Sequence, residues 1–164
     1  YLELERQCTD LIALQQPVAS DLRFITASFK IITDLERIGD LAANLADRTR
    51  AGHEGIHPAV DIESLGGDAG AMVEAAVEAY EAADPEACRG IAERDDDLDA
   101  ACDRATQRII RSLLAETNGD RETTRTAASC GLLTVRDIER VGDHAVNIAA
   151  RSLYMVDSDD ELLY

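Results

Sequence analysis

The residues most able to do chemistry are acids set four apart. Glu36, Asp40 and Asn44 form one such ladder, and Glu139, Asp143 and Asn147 form a second. On an α-helix this spacing stacks side chains on neighbouring turns of one face. Two carboxylates so placed can offer oxygens to one hard or borderline cation, and helical bundles complete such sites with carboxylates from facing helices. Asp95, Asp99 and Asp103 make a third ladder. On a helical wheel Asp95 falls beside the apolar stripe of Ile91, Leu98 and Cys102, while Asp96 and Asp97 face solvent. A carboxylate beside that stripe needs a partner or a proton, because an unpaired buried charge is costly. Two partners are open: an arginine such as Arg140, or a metal shared with Glu139 and Asp143.

The first two ladders belong to one phrase stated twice. Asp34-Leu-Glu-Arg-Ile-Gly-Asp-Leu-Ala-Ala-Asn-Leu-Ala-Asp-Arg48 returns 103 positions later as Asp137-Ile-Glu-Arg-Val-Gly-Asp-His-Ala-Val-Asn-Ile-Ala-Ala-Arg151, with nine of fifteen residues identical. Such self-similarity indicates an internal duplication. In the first copy the acids and Asn44 lie within about 80° on the wheel, opposite Leu35, Ile38, Ala42 and Leu45. Gly39 and Gly142 flank the core stripe, where a missing side chain would let another helix come close. Arg37 and Arg140 flank the acids. A metal-free alternative is therefore an Arg–carboxylate network joining the two repeats.

The elements that must position these ladders are helices. Residues 1–16 read as a helix with Leu4, Cys8 and Leu11 inward and Leu14 and Gln15 at the margin of that face, broken by Pro17. Ser20 or Asp21 caps a second helix reaching about Arg50, with a core stripe of Phe24, Ala27, Ile31, Leu35, Ile38, Ala42 and Leu45. Ala51–Pro58, with two Gly and a Pro, reads as a linker. A third helix spans about 61–83, its first turns weakened by Gly66 and Gly67. Asp84-Pro85 supplies an N-cap and first-turn proline for a fourth helix to about Glu116. Asn118-Gly119-Asp120 turns the chain into a last helix, about 121–155. No segment alternates as a strand would. The expected fold is all-α: two tandem three-helix bundles, the first lacking its opening helix. Residues 1–52 would be a partial first repeat and 59–157 the second. Residues 5–14 also align with 103–112, so the first-repeat equivalents of Asp95 and Asp99 fall at or before Tyr1. An N-terminal piece beyond this start is expected.

Composition narrows the classes. The formal net charge is -17, from 33 acids against 16 bases, and Lys30 is the single lysine. That balance suits a protein adapted to high salt and argues against nucleic-acid or anionic-membrane binding, which require basic patches. No apolar run is long enough to span a membrane and no signal peptide is visible, so no direct membrane insertion is expected. Cys8, Cys88, Cys102 and Cys130 lack metal-binding spacing and read as small core residues of a reducing cytoplasm. His53 and His57 fall in the linker and His144 off the acidic stripe. With no nucleophile pattern, no Glu-x-x-His pair and no P-loop, nothing points to catalysis.

The run Gln16-Pro-Val-Ala-Ser-Asp-Leu-Arg23 with the doubled Glu-Arg-x-Gly-Asp phrase resembles PhoU proteins, the phosphate-uptake regulators. The stretch Glu93–Asp99 resembles the acidic part of that family's second-repeat middle helix. The resemblance covers essentially the whole chain. It implies a cytoplasmic negative regulator of phosphate uptake that contacts the ATPase component of the phosphate ABC transporter and, in bacteria, a sensor kinase. It also implies multinuclear metal clusters of iron, zinc or manganese. Their ligands would be Glu36 and Asp40 in one repeat and Asp95, Asp99, Glu139 and Asp143 in the other, with Asn44 and Asn147 in support. The sparse lysine adds an expectation of a salt-loving archaeal member. A homodimer is also expected, because helical regulators of this shape often self-associate.

Overall fold

The computed structural model describes residues 1–50, 61–115, 121–159 and 161–162, the side chains of Thr49 and Arg121 excepted. Among them are five helices and no strand: α1 (Leu2–Gln15), α2 (Ala19–Arg50), α3 (Ile62–Ala82), α4 (Pro85–Ala115) and α5 (Arg121–Asp157). The expected linker at 51–58, with His53 and His57, and the turn at 118–120 lie outside the described residues.

Local chemistry sets the helix ends. Asp61 caps α3 by accepting from the Ser64 backbone N–H at 3.0 Å. Asp84 accepts from Glu86 and Ala87 N–H at 3.0 and 3.1 Å, with Pro85 opening α4 as expected. Two expectations need correction. Helix α2 already begins at Ala19, so Ser20 and Asp21 lie inside its first turn. Helix α3 runs unbroken through Gly66 and Gly67. Burial of Leu65 and Ala69 on either side of that pair outweighs the propensity cost of two glycines.

Helices α3, α4 and α5 form a three-helix bundle around Met72, Ile91, Ile109, Ile138, Ile148 and Leu153, all at most 2 % exposed. The free thiols of Cys88, Cys102 and Cys130 are buried, whereas Cys8 is only partly so. Helix α5 is shared, packing against α2 on its other side, and α1 packs against α2 alone. The first bundle is thus represented by two helices. Its expected core positions Leu4, Leu11, Leu14, Phe24 and Leu35 are correspondingly exposed, and α1 buries no residue. The contrast with the second repeat is direct: Leu35 is 40 % exposed, while its counterpart Ile138 is 2 % exposed beneath α3. Phe24 instead stacks on Tyr80 of α3, and Tyr80 shares a 2.7 Å hydrogen bond with Ser28. Among the described residues no helix is long and apolar enough to cross a membrane.

Candidate functional site

Two sites emerge, one acidic and one between the repeats. The acidic site lies where α4 faces α5, and its approach is set by Gly142. A Cβ there would meet Leu98 Cδ2 at 2.7 Å and Asp95 Oδ1 at 2.8 Å, so any larger residue must push these two α4 side chains aside. Asp95 Oδ1 is buried with no hydrogen-bond partner. Burial, then the charges of Asp99, Asp143, Asp96 and Glu139, push the Asp95 carboxyl up to about 6. Asp99 and Glu139 are pushed up as well, each first by burial and then by neighbouring acids. The Cys102 thiol behind them is pushed up to about 12, chiefly by burial.

Of the two partners open to Asp95, an arginine does not pair with its buried oxygen. The charges that act most on this carboxylate, those of Asp99, Asp143, Asp96 and Glu139, are negative, and the exposed Arg140 supplies no hydrogen bond to its buried oxygen. The structure therefore brings Asp95, Asp99, Glu139 and Asp143 together. Oxygen donors of like charge, one of them orphaned, suit a hard or borderline cation that would relieve their repulsion. As the side chains stand, no group of three His, Cys, Asp or Glu among the described residues is close enough to hold a metal ion.

Glu36 and Asp40 lack a facing partner set. Around Gly39 there is nothing within 4 Å, which corrects the expectation of a close helix at that glycine. The place of Asp99 is taken by Tyr1, whose hydroxyl is pushed above its ordinary pKa first by its hydrogen bond with Glu5, then by burial and the charges of Glu5 and Glu36, with Arg37 acting the other way.

The second site was not anticipated as such. The first and last residues of the repeated phrase pair crosswise: Asp34 with Arg151, and Asp137 with Arg48. Asp34 and Asp137 are 5 % and 3 % exposed, deep between α2 and α5. Arg48 also donates to the Leu133 carbonyl at 3.4 Å. His144, whose counterpart in the first copy is the buried Leu41, lies with Nδ1 3.0 Å from Asp34 Oδ1. Burial first, then Arg140, push the His144 ring below its ordinary pKa. An Arg–carboxylate network does join the repeats, but through Arg48 and Arg151. Arg37 and Arg140, the expected members, are exposed, and Arg37 pairs with its neighbour Glu36 at 3.9 Å. The available signal was that Asp and Arg are kept at both ends of both copies: antiparallel pairing of the copies brings each Asp to the other's Arg.

Comparison with known proteins decides the family. The family model described as the PhoU domain matches residues 1–49 and 62–152. The chain belongs to the PhoU family. It is 35 % identical over 156 residues to the phosphate-specific transport system accessory protein PhoU homolog 1 of Methanothermobacter thermautotrophicus, covering 93 % of this chain and 69 % of that protein. To the PhoU homolog of Pseudomonas aeruginosa it is 32 % identical over 160 residues, covering 96 % of this chain and 64 % of the relative. The crystal structure of PhoU from Pseudomonas aeruginosa superposes with a TM-score of 0.85 at 28 % identity, over 94 % of this chain and 75 % of that one. The all-α, paired-bundle architecture is thus the family's. The chain spans between 60 % and 69 % of the length of these and other curated relatives.

Proposed function

We propose that this chain regulates phosphate uptake as a cytoplasmic, non-catalytic accessory of a phosphate transport system, docking on the transporter's ATPase component. A sensor kinase is a further partner where one is present. Residues 1–52 and 59–157 act as two repeats of one adaptor. The relatives' shared designation as transport accessory proteins carries the reading. A capture experiment tests it: the immobilised chain should retain the transporter ATPase subunit, with retention changing between phosphate-rich and phosphate-starved conditions. Retention at neither phosphate level would remove the reading.

Metal binding on the acidic face is part of the same proposal. Asp95, Asp99, Glu139 and Asp143 would hold the ion, and the orphaned Asp95 oxygen supports it. Glu36 and Asp40 are the proposed ligands of the first repeat. Iron, zinc or manganese would supply the positive charge that fixes the α4–α5 face for docking. Elemental analysis of protein purified without chelator should find metal that Glu139→Ala/Asp143→Ala lacks. Equal metal in both would exclude the site.

A further inference from the structure

The chain's 33 acids and 16 bases are spread unevenly. Residues 1–50 hold eight acids and six bases, a formal charge of -2, whereas residues 51–164 hold 25 and ten, a formal charge of -15. Within the first part, Leu11–Ser20 runs ten residues without a charge, and every one except Pro17 is exposed. The other uncharged run of ten, Thr126–Val135, lies against the core, with Ala128, Cys130, Thr134 and Val135 buried. Leu11–Ser20 has no such cover. Leu14 is 75 % exposed near the end of α1, and Val18 is 66 % exposed just before α2. Leu22 follows one turn on, its N–H donating to the Val18 carbonyl at 2.8 Å, and is 41 % exposed.

The open side of the first bundle does not account for this corner. The duplication supplies the comparison, because the second bundle has its third helix. Leu11 corresponds to Ile109, which is buried there, so Leu11 belongs to the face that a third helix covers. Leu22 corresponds to Arg125, Ala19 to Glu122 and Ser20 to Thr123, and all three counterparts are exposed beside a complete bundle. The first turns of α5 thus lie outside the cover of α3, and by the same relation the first turns of α2 lie outside that of any third helix. In the second repeat this surface is charged and polar, as a solvated surface should be. In the first it carries Val18 and Leu22.

A contiguous exposed apolar patch marks contact with another surface. The missing acids identify which. A basic partner would be served by the carboxylates of the rest of the chain, whereas an acidic partner is repelled by them and accepted here. A second copy is such a partner. Asp21 and Arg23 also stand on opposite flanks of Leu22, so the patch offers an acid and a base to its own image. We infer that the chain self-associates about a twofold axis through the α1–α2 corner, Val18 and Leu22 of one protomer packing on those of its partner with Leu14 at the edge. Three aliphatic side chains present far less than the roughly 800 Å² per protomer of a standard interface, so the dimer is weak and reversible.

Sedimentation equilibrium of the full natural chain tests the contact. The average mass should rise with protein concentration towards that of a dimer. It should rise further when chloride goes from ~0.1 M to ~1 M, because salt screens the repulsion between the acidic remainders. Val18→Glu should raise the dimer dissociation constant at least ~10-fold, since it buries a charge in an apolar contact. Should that variant lose its helix content by circular dichroism, Leu22→Glu carries the test with the same expectation. Ile110→Glu, exposed near the end of α4, should leave the constant unchanged. A monomer at every concentration and salt level, an unchanged constant in the folded Val18→Glu or Leu22→Glu variant, or an equal loss in Ile110→Glu would overturn the contact. So would a dimer that loosens in salt, as one held by opposite charges does. The inference does not rest on the regulator reading, and transporter capture is measured separately from mass.

Discussion

At Asp95 a buried oxygen has no donor, and the charges that act on it most are those of other acids. Its carboxyl titrates near 6 rather than at the ordinary 3.8, so the folded chain holds a proton there that the unfolded chain has released. The sign follows: in metal-free protein this group's contribution to stability is present at about pH 4 and is lost as pH rises towards 6. Asp95→Asn should therefore raise the melting temperature at pH 7 in chelator by about 2–4 °C, equivalent to roughly 1 kcal/mol, and change it little at pH 4. An equal change at both pH values, read by thermal unfolding, would show that repulsion is not what strains the site. Asp95 was legible in the sequence because its wheel position sets an acid against an apolar stripe within one helix. Asp34 and Asp137 were not, although both are more deeply buried. Their partners lie on the other copy, and a single-helix wheel contains no such information.

At the scale of elements, the ladders were readable because helix period and capping are local. The five helices follow the apolar repeat, Asp84-Pro85 and the breaks. What local pattern could not supply was which stripes find cover. Leu4, Leu11 and Leu35 carry as good a core pattern as their counterparts Cys102, Ile109 and Ile138, yet only the latter are buried. The two glycines of the phrase show the same split. Gly39→Ala adds a methyl to open space and should stabilise α2 by about 0.5–1 kcal/mol through helix propensity. Gly142→Ala gains the same propensity but pushes Leu98 and Asp95 aside, an overpacking cost of about 1–3 kcal/mol. Denaturant unfolding should therefore rank Gly39→Ala above wild type and Gly142→Ala below Gly39→Ala. Equal gains in the two variants would mean that the Leu98 and Asp95 side chains give way without cost.

Across the whole molecule, α2 and α5 are locked by two buried ion pairs that share no residue. Removing one partner strands a buried charge, a loss of roughly 3–5 kcal/mol. Asp137→Asn and Arg48→Met should each be markedly destabilising, and the double variant should cost clearly less than their sum. Strict additivity in that double-mutant cycle would mean that the pair carries no coupling energy. His144 gives the lock an asymmetry, because it braces Asp34 while its counterpart in the first copy is the apolar Leu41.

The crossed pairing has a further consequence. Residue i of one copy meets residue j of the other, and j of the first meets i of the second, which is the signature of an isologous interface between twofold-related subunits. The α2–α5 contact thus has the form of a homodimer interface joined within a single chain. One linkage frees it from a homodimer's constraint: each half can change alone. A twofold dimer must accept any substitution at both ends of its interface at once. Here Thr126 and Arg23 differ at equivalent places, so one end of the shared surface can take on a task that the other does not have.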